Sequence, residues 1–406
     1  MFSLRTLKTA VFLTAVIFIA WTSAFATPPN VKVNSDVTSE LQNEQQIWIS
    51  PFDANVVIAD WRDFRLGYRR VGIGVSTDGG TTWFDSLFTN TPYYRHSDPC
   101  LTGDRFGNYY ACLLNYISTE DSSLIVVYRS TDDGTSWSGP VSICDYVSPH
   151  FEDKQMTTVD RAGGPYDGNY YVSWGRFPNP TRIMFVRSTD GAASFEDTLL
   201  IGEPVLYDGE PWSSGNFSMP AVDADGDVHV LWLGYRVEND YDIYYAIRQT
   251  SSTDGGQSFG AEQVIVPTTV GYYYVDGDVD VYGAPIIDCD ISGGPYNNTM
   301  YFAQTQYGGF YFEESIDLDV VVWKSTDKGN TWLGPEMVND DPMGMDIDQF
   351  HPWLVVNDDG VILLIFYDQR TDPINHYKFD AFFAASFDGG ETYIHNMRIS
   401  EVSVDP

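Results

Sequence analysis

The chain has 406 residues, with 22 Lys and Arg against 57 Asp and Glu, a formal charge of −35. So acidic a molecule repels nucleic acid and anionic membranes, which argues against both as partners. Four cysteines without C-x-x-C or zinc spacing imply neither a disulfide scaffold nor a structural zinc site.

Residues 1–26 read as an export leader. Arg5 and Lys8 form a positive region, residues 10–20 an apolar core, and Ala24-Phe25-Ala26 a cleavage site that puts the mature start at Thr27. The rival reading is an uncleaved membrane anchor, since the apolar run approaches spanning length. No second such run follows. The protein is expected to be secreted or periplasmic, monomeric, and free of membrane insertion once the leader is removed.

From residue 27 to 406 one grammar repeats: strand, acidic or Gly-rich turn, strand ending in a polar loop, strand, a Ser-x-Asp turn, strand. The first unit shows it as Gln46–Ser50, a turn at Pro51–Asn55, Val56–Trp61, then Val71–Val75. Alternating apolar residues bounded by turn formers are what half-buried strands require. Later units begin at Asp98, Asp153, Asn216, Ile286 and Gln349. Cys100 and Cys112 flank the turn Asp104–Gly107 nearly symmetrically, which leaves a cross-hairpin disulfide and two buried thiols both open.

Each unit carries a version of one phrase: Ser76-Thr-Asp78-Gly-Gly80-Thr-Thr-Trp83, and copies starting at Ser130, Ser188, Ser252, Ser325 and Ser386. The steps are 54, 58, 64, 73 and 61 residues, the period of a repeated supersecondary unit. About 380 residues divided among six units is roughly 63 each, a four-stranded propeller blade with generous loops. In the phrase, Asp accepts backbone N–H groups, Gly takes positive φ and the aromatic anchors the next strand. Ala192 stands in a Gly place, so the third turn is expected to be strained. The expected fold is all-β, a six-bladed β-propeller of four-stranded antiparallel blades. Whether the fold is complete at Pro406 or the chain is a fragment stays open.

The phrase S-x-D-x-G-x-x-aromatic is the Asp-box, and in it the chain resembles the sialidase-like β-propeller family. The resemblance implies a glycan-acting propeller whose Asp-boxes lie on the face away from the site, and three substrate arginines, an acid Asp and a Tyr–Glu pair on the other. By position it offers Arg65 as a substrate arginine, with Arg236 and Arg370 in the other arginine places. Asp63 is the carboxylate nearest the expected acid, Tyr377 (or Tyr311) the phenol and Glu210 its base. The family's first-strand arginine has no match here, because that strand reads Glu44-Gln-Gln-Ile-Trp-Ile.

The residues themselves point to the same face. Basic residues recur after second strands: Arg62 and Arg65, Arg176, Arg236 and Arg370. Glu44, His96, Asp98, Asp153, Lys154, Asp348 and His351 stand before or at first strands. Guanidinium forks converging with carboxylates suit an oxygen-rich ligand; arginines that pair off between blades are the alternative. A glycosidase needs two carboxylates across the scissile bond, and Glu44, Asp98, Asp153 and Asp348 are candidates. Asp223, Asp225 and Asp227, or Asp276, Asp278 and Asp280, suggest calcium, but turn chemistry accounts for both runs, so no metal or cofactor is expected. Two function classes remain: a glycoside hydrolase acting on extracellular glycans, and a non-catalytic propeller binding a glycan or a protein.

Overall fold

The computed structural model describes residues 29–117, 123–144, 150–177, 181–203, 205–207, 210–237 and 243–406. For 205–207, 210–214 and 237 only the backbone is described. The leader expected over residues 1–26 lies outside this set. Among the described residues no helix is long and apolar enough to cross a membrane.

The architecture is the expected six-bladed ring. Blade one is β1 (Gln42–Ile49), β2 (Val57–Asp63), β3 (Arg70–Ser76) and β4 (Phe84–Leu87). Blade two is β5 (Arg95–Gly103), β6 (Tyr109–Tyr116), β7 (Ser123–Ser130) and β8 (Ser138–Ser142). Blade three is β9 (Phe151–Val159), β10 (Tyr170–Phe177), β11 (Arg182–Ser188) and β12 (Leu199–Gly202). A short β13 (Val205–Tyr207) adds a fifth strand to blade four, which is otherwise β14 (Glu210–Val222), β15 (Val228–Val237), β16 (Ile243–Ser252) and β17 (Gln263–Thr268). A separate hairpin follows, β18 (Tyr272–Val275) and β19 (Val279–Tyr282). Blade five is β20 (Ile286–Cys289), β21 (Met300–Tyr307), β22 (Leu318–Ser325) and β23 (Leu333–Met337). Blade six is β24 (Gln349–Val356), β25 (Ile362–Asp368), β26 (Asp380–Ser386) and β27 (Met397–Arg398).

Within each blade consecutive strands pair antiparallel, and from blade one to blade six the first strand of each blade lies beside the first strand of the one that follows it in the chain. Blade six meets blade one through Gln45 Nε2 donating to the Tyr367 hydroxyl at 3.4 Å. Asn30 ties the two chain ends, donating to the Ile399 carbonyl at 2.9 Å and accepting the Glu401 N–H at 2.7 Å. Apolar side chains fill the gaps between sheets. Tyr110 stacks on Tyr170 at 4.7 Å between blades two and three, and Phe185 of blade three receives Phe259 of blade four at 4.6 Å.

All six Ser-x-Asp turns join third strands to fourth. In each, the Ser hydroxyl donates to Asp Oδ1 at 2.8 Å. The same hydroxyl accepts the N–H of the residue four further on, Gly80 in the first turn at 2.9 Å. Asp Oδ1 accepts a second N–H and Oδ2 the hydroxyl of that same residue, Thr82 at 2.8 and 2.7 Å. A hydroxyl residue stands there in every copy (Thr82, Ser136, Ser194, Ser258, Thr331, Thr392), a rule the S-x-D-x-G-x-x-aromatic reading left out. Ala192 holds φ +61°, so its Cβ sits where the other five copies have Gly.

Four inner strands begin two to six residues before their expected starts. The reason is a bulge near the start of each, which lets pairing resume beyond an irregular residue.

Asp254→Ala removes an acceptor of several hydrogen bonds and is expected to cost about 1–3 kcal/mol in urea unfolding, whereas Ala192→Gly gains up to about 1 kcal/mol. These bonds hold the Asp254 carboxyl down at about 2 against the raising effect of burial, and hold Asp388 at about 2 through Thr392. A depressed carboxylate stabilises the fold fully above its ordinary value and loses that effect as the proton returns. Urea midpoints should therefore fall between pH 4 and pH 2.

Candidate functional site

In an antiparallel blade the repeat turns share one end of the sheet with the first-to-second-strand turns. The Gly79 N–H donating to the Asn55 carbonyl at 2.9 Å shows this directly. The opposite face carries the second-to-third-strand loops and the entries of the inner strands.

At those entries the backbone does something unusual. Glu44 (φ +55°), Asp98 (+48°), Lys154 (+52°), Phe217 (+59°) and His351 (+51°) all sit in the left-handed region. Each falls at a break in the pairing of its inner strand with the second strand of its blade. Only β20, starting at Ile286, has no counterpart among the described residues. Left-handed non-glycine residues cost about 1–3 kcal/mol each and gather where a side chain must be re-aimed.

Four of these side chains carry chemistry. The Lys154 ammonium touches Asp98 Oδ1 and lies 3.6 Å from Glu44 Oε1. Arg62 reaches the same Glu44 oxygen at 2.8 Å, and the Asp98 N–H donates to Glu44 Oε2 at 3.1 Å. Burial, then the Asp98 charge, pushes the Asp153 carboxyl up to about 7, with Lys154 opposing. Burial and Asp98 also raise Glu44. Burial works against the Lys154 charge, but Asp98, Glu44 and Asp153 together raise it. His351 Nε2 lies 2.8 Å from the Asp280 carbonyl, which can only accept, so Nε2 carries the proton. Burial lowers the His351 value, leaving a neutral ring whose Nδ1 is an acceptor.

The hairpin β18–β19 leans over this ring. Tyr282 packs against Phe217 at 4.9 Å and His351 at 6.0 Å, and Tyr272 against Tyr282 at 5.1 Å. Sequence reasoning missed Phe217 and this hairpin. Tyr272–Val275 and Val279–Tyr282 flanking Asp276-Gly277-Asp278 were the available signal, a turn between two strand-like runs.

Of the expected residues, Glu44, Asp98, Asp153, Lys154 and His351 belong to this mouth and Arg62 reaches it through Glu44, but Arg65, Arg176 and Arg370 are held elsewhere. Arg65 is held by Asp63 at 2.7 Å and by Asp85 on outer strand β4 at 2.8 Å. Arg370 is held by Asp368 at 2.7 Å and by Asp340, beyond β23, at 2.6 Å. Arg176 pairs with Glu152 of its own blade at 2.7 Å, and Arg236 lies over the Tyr244 ring at 4.6 Å. In an acid-rich chain the nearest carboxylate captures the guanidinium. Asp63 is buried and accepts from Trp61 and Arg65, which hold it below its ordinary value against burial. Tyr377 is exposed, its N–H on Asp372 Oδ2 at 3.3 Å. The side chain of Glu210 lies outside the described residues.

Asp348 and His96 do not join the cluster either. Asp348 is raised by burial to about 6 and accepts the Leu318 N–H at 2.9 Å, while His96 is buried against Thr91 at 2.6 Å. Asp225 and Asp227 enclose the Lys328 ammonium at 2.7 and 2.6 Å, and Asp276–Asp280 forms the tip of the β18–β19 hairpin and the start of β19. Among the described residues no group of three or more His, Cys, Asp or Glu is placed to hold a metal. Cys100 and Cys112 face each other across β5 and β6 as buried free thiols.

No protein-family model and no curated protein sequence matches the chain. Solved structures do match. A polysaccharide lyase of family PL25, an ulvan lyase, is 10% identical, covers 88% of this chain and 84% of its own, and has a TM-score of 0.54. The GH93 α-L-arabinofuranosidase of Fusarium graminearum with arabinobiose is 14% identical over 88% of this chain and 93% of its own, at 0.51. The sialidase of Trypanosoma rangeli is 13% identical over 86% of this chain and 55% of its own, at 0.48. At these identities the likeness to the first two shows a shared fold and nothing finer.

Asp153→Asn is expected to leave stability nearly unchanged at pH 3 and to raise it at pH 8, by on the order of 1–3 kcal/mol. A raised carboxyl stabilises the fold below its unfolded value, and that contribution is lost as pH climbs to about 7. Urea unfolding at both pH values checks the sign.

Proposed function

We propose that this protein is an exported glycan-acting β-propeller that cleaves a glycosidic bond at the mouth formed by Glu44, Asp98, Asp153, Lys154 and His351. The observation that carries the reading is Asp153. A carboxyl titrating near 7 beside two other carboxylates is the arrangement in which one acid keeps its proton at neutral pH while its neighbour acts as an anion. Asp153 donates the proton to the leaving oxygen. Asp98, fixed by Lys154 and by its own N–H on Glu44, supplies the opposing carboxylate. His351 accepts a sugar hydroxyl on Nδ1.

The GH93 arabinofuranosidase and the PL25 ulvan lyase are glycan-active enzymes, which supports a glycan as the ligand. Sialidase chemistry needs a cluster of arginines for the substrate carboxylate. Arg65 and Arg370 are committed to Asp63, Asp85, Asp368 and Asp340, which favours a glycosidase of another kind. A second reading, a non-catalytic glycan-binding propeller, is favoured by the ion pairs of Glu44 with Arg62 and Asp98 with Lys154, since structural pairs perturb carboxyls as catalytic ones do.

Turnover of a panel of fluorogenic glycosides and polysaccharides separates the two. The hydrolase reading expects kcat to fall as pH rises through about 7, and Asp153→Asn to lose about 10²–10⁴-fold in kcat. Asp254→Asn, on the other face, should keep wild-type kcat at a lowered melting temperature. Binding without turnover by the wild type would instead establish the binding module.

A further inference from the structure

Beside the mouth, on the rim of blades one and two, the charge of the chain reverses locally. Arg62, Arg69, Arg70 and Arg95 gather around Phe64, Tyr68 and Tyr94. Arg62 lies over the Phe64 ring at 5.5 Å and Arg69 at 5.9 Å, while Tyr68 meets Tyr94 edge-on at 5.8 Å. Arg95 covers Tyr94 at 5.4 Å, its Nε on the phenol oxygen at 3.1 Å.

These residues share one end of the ring. Arg69 ends the loop between β2 and β3, and Arg95 opens β5. The His96 N–H donates to the Arg69 carbonyl at 3.1 Å, joining the two segments. Arg62 continues the patch inward, since its guanidinium also holds Glu44 at 2.8 Å and Ser97 at 3.3 Å.

What sets the patch apart is how little negative charge answers it. Acids outnumber bases 57 to 22, and elsewhere on this face Arg65, Arg176 and Arg370 each find a carboxylate. Among the described residues the Arg69 guanidinium hydrogen-bonds only to the Tyr116 hydroxyl, at 2.9 Å, and that of Arg95 only to the Tyr94 hydroxyl. Neither has a carboxylate partner among the described residues. Arg70 is buried; its two Nη atoms donate to the Tyr94 and Phe88 carbonyls while its Nε has no partner among the described residues, and no carboxylate there cancels its charge. Half-exposed Arg69 and Arg95 therefore keep N–H groups turned to solvent, beside exposed Tyr68 and Tyr94.

A guanidinium fork fits the two oxygens of a carboxylate or sulfate, and a tyrosine face fits the apolar face of a pyranose. We propose that this rim is a subsite for an acidic polysaccharide, in which Arg69 and Arg95 take carboxylate or sulfate groups of residues flanking the one at the mouth, with Tyr68 and Tyr94 under the sugar rings. The proposal rests on the mouth reading for the path of the polymer across Arg62. Local positive charge at the rim gives a protein of charge −35 a short-range contact for such an anionic chain.

Affinity electrophoresis of the full chain through gels containing polygalacturonate, dextran sulfate or neutral arabinan tests it. The wild type should be retarded by at least one acidic polymer and not by arabinan, and the acid group that works identifies carboxylate or sulfate as the feature read. R69A/R95A should weaken that retardation at least tenfold in Kd and R69K/R95K by less, while R105A on the far face leaves it unchanged. Melting temperatures of all variants report whether the fold survives. Raising salt from 20 to 500 mM should abolish the binding. Equal retardation by arabinan, no retardation by either acidic polymer, or a folded double variant that binds as wild type would each overturn the proposal. D153N separates this from the mouth reading: it should keep polymer binding and lose turnover, so an active D153N would defeat the mouth and leave the rim standing.

Discussion

The constraint on which the structure turns is the carboxylate at the third position of each repeat turn. One Asp accepts a Ser hydroxyl, a backbone N–H and a second hydroxyl, and so closes the outer hairpin of a blade without help from neighbouring blades. Repeated six times at one end of the ring, it fixes that end. The other end is left to loops and inner-strand entries, where the backbone departs from regular pleating. The division of labour between the two faces follows from this asymmetry and not from any difference in core packing.

At the open face, strain and charge coincide. Five inner strands place a left-handed, non-glycine residue at corresponding bulges, and four of these residues are Glu, Asp, Lys and His. No turn requires these residue types there, and glycine would be less strained at each position. The Lys154 ammonium keeps Glu44 and Asp98 together, and burial near them raises Asp153. A set of charges that costs stability at neutral pH yet is held by strained backbone is the pattern expected of a functional centre.

How much of this could be read beforehand divides along physical lines. The ring and its six turns were legible because Ser, Asp, Gly and an aromatic at fixed offsets specify a local hydrogen-bond pattern. Glu44, Asp98, Asp153, Lys154 and His351 were legible as entries to inner strands. The bulges were not, because Glu44 and Lys154 have no turn signature and left-handed φ there is imposed by pairing on either side. The arginines misled for a related reason. Their slot after second strands was real, but Asp63 and Asp368, two residues before Arg65 and Arg370, accept each guanidinium locally. The hairpin over the mouth was hidden because its Asp-Gly-Asp turn also resembles a metal loop.

The most direct measurement is a crystal structure with a bound oligosaccharide of four or more units. A sugar ring within hydrogen-bond distance of Asp98, Asp153 or His351, beneath Tyr282, is the predicted result. Density confined to the repeat-turn face or to the outer edges of the blades, with the mouth still held by Lys154 and free of sugar, would contradict the account.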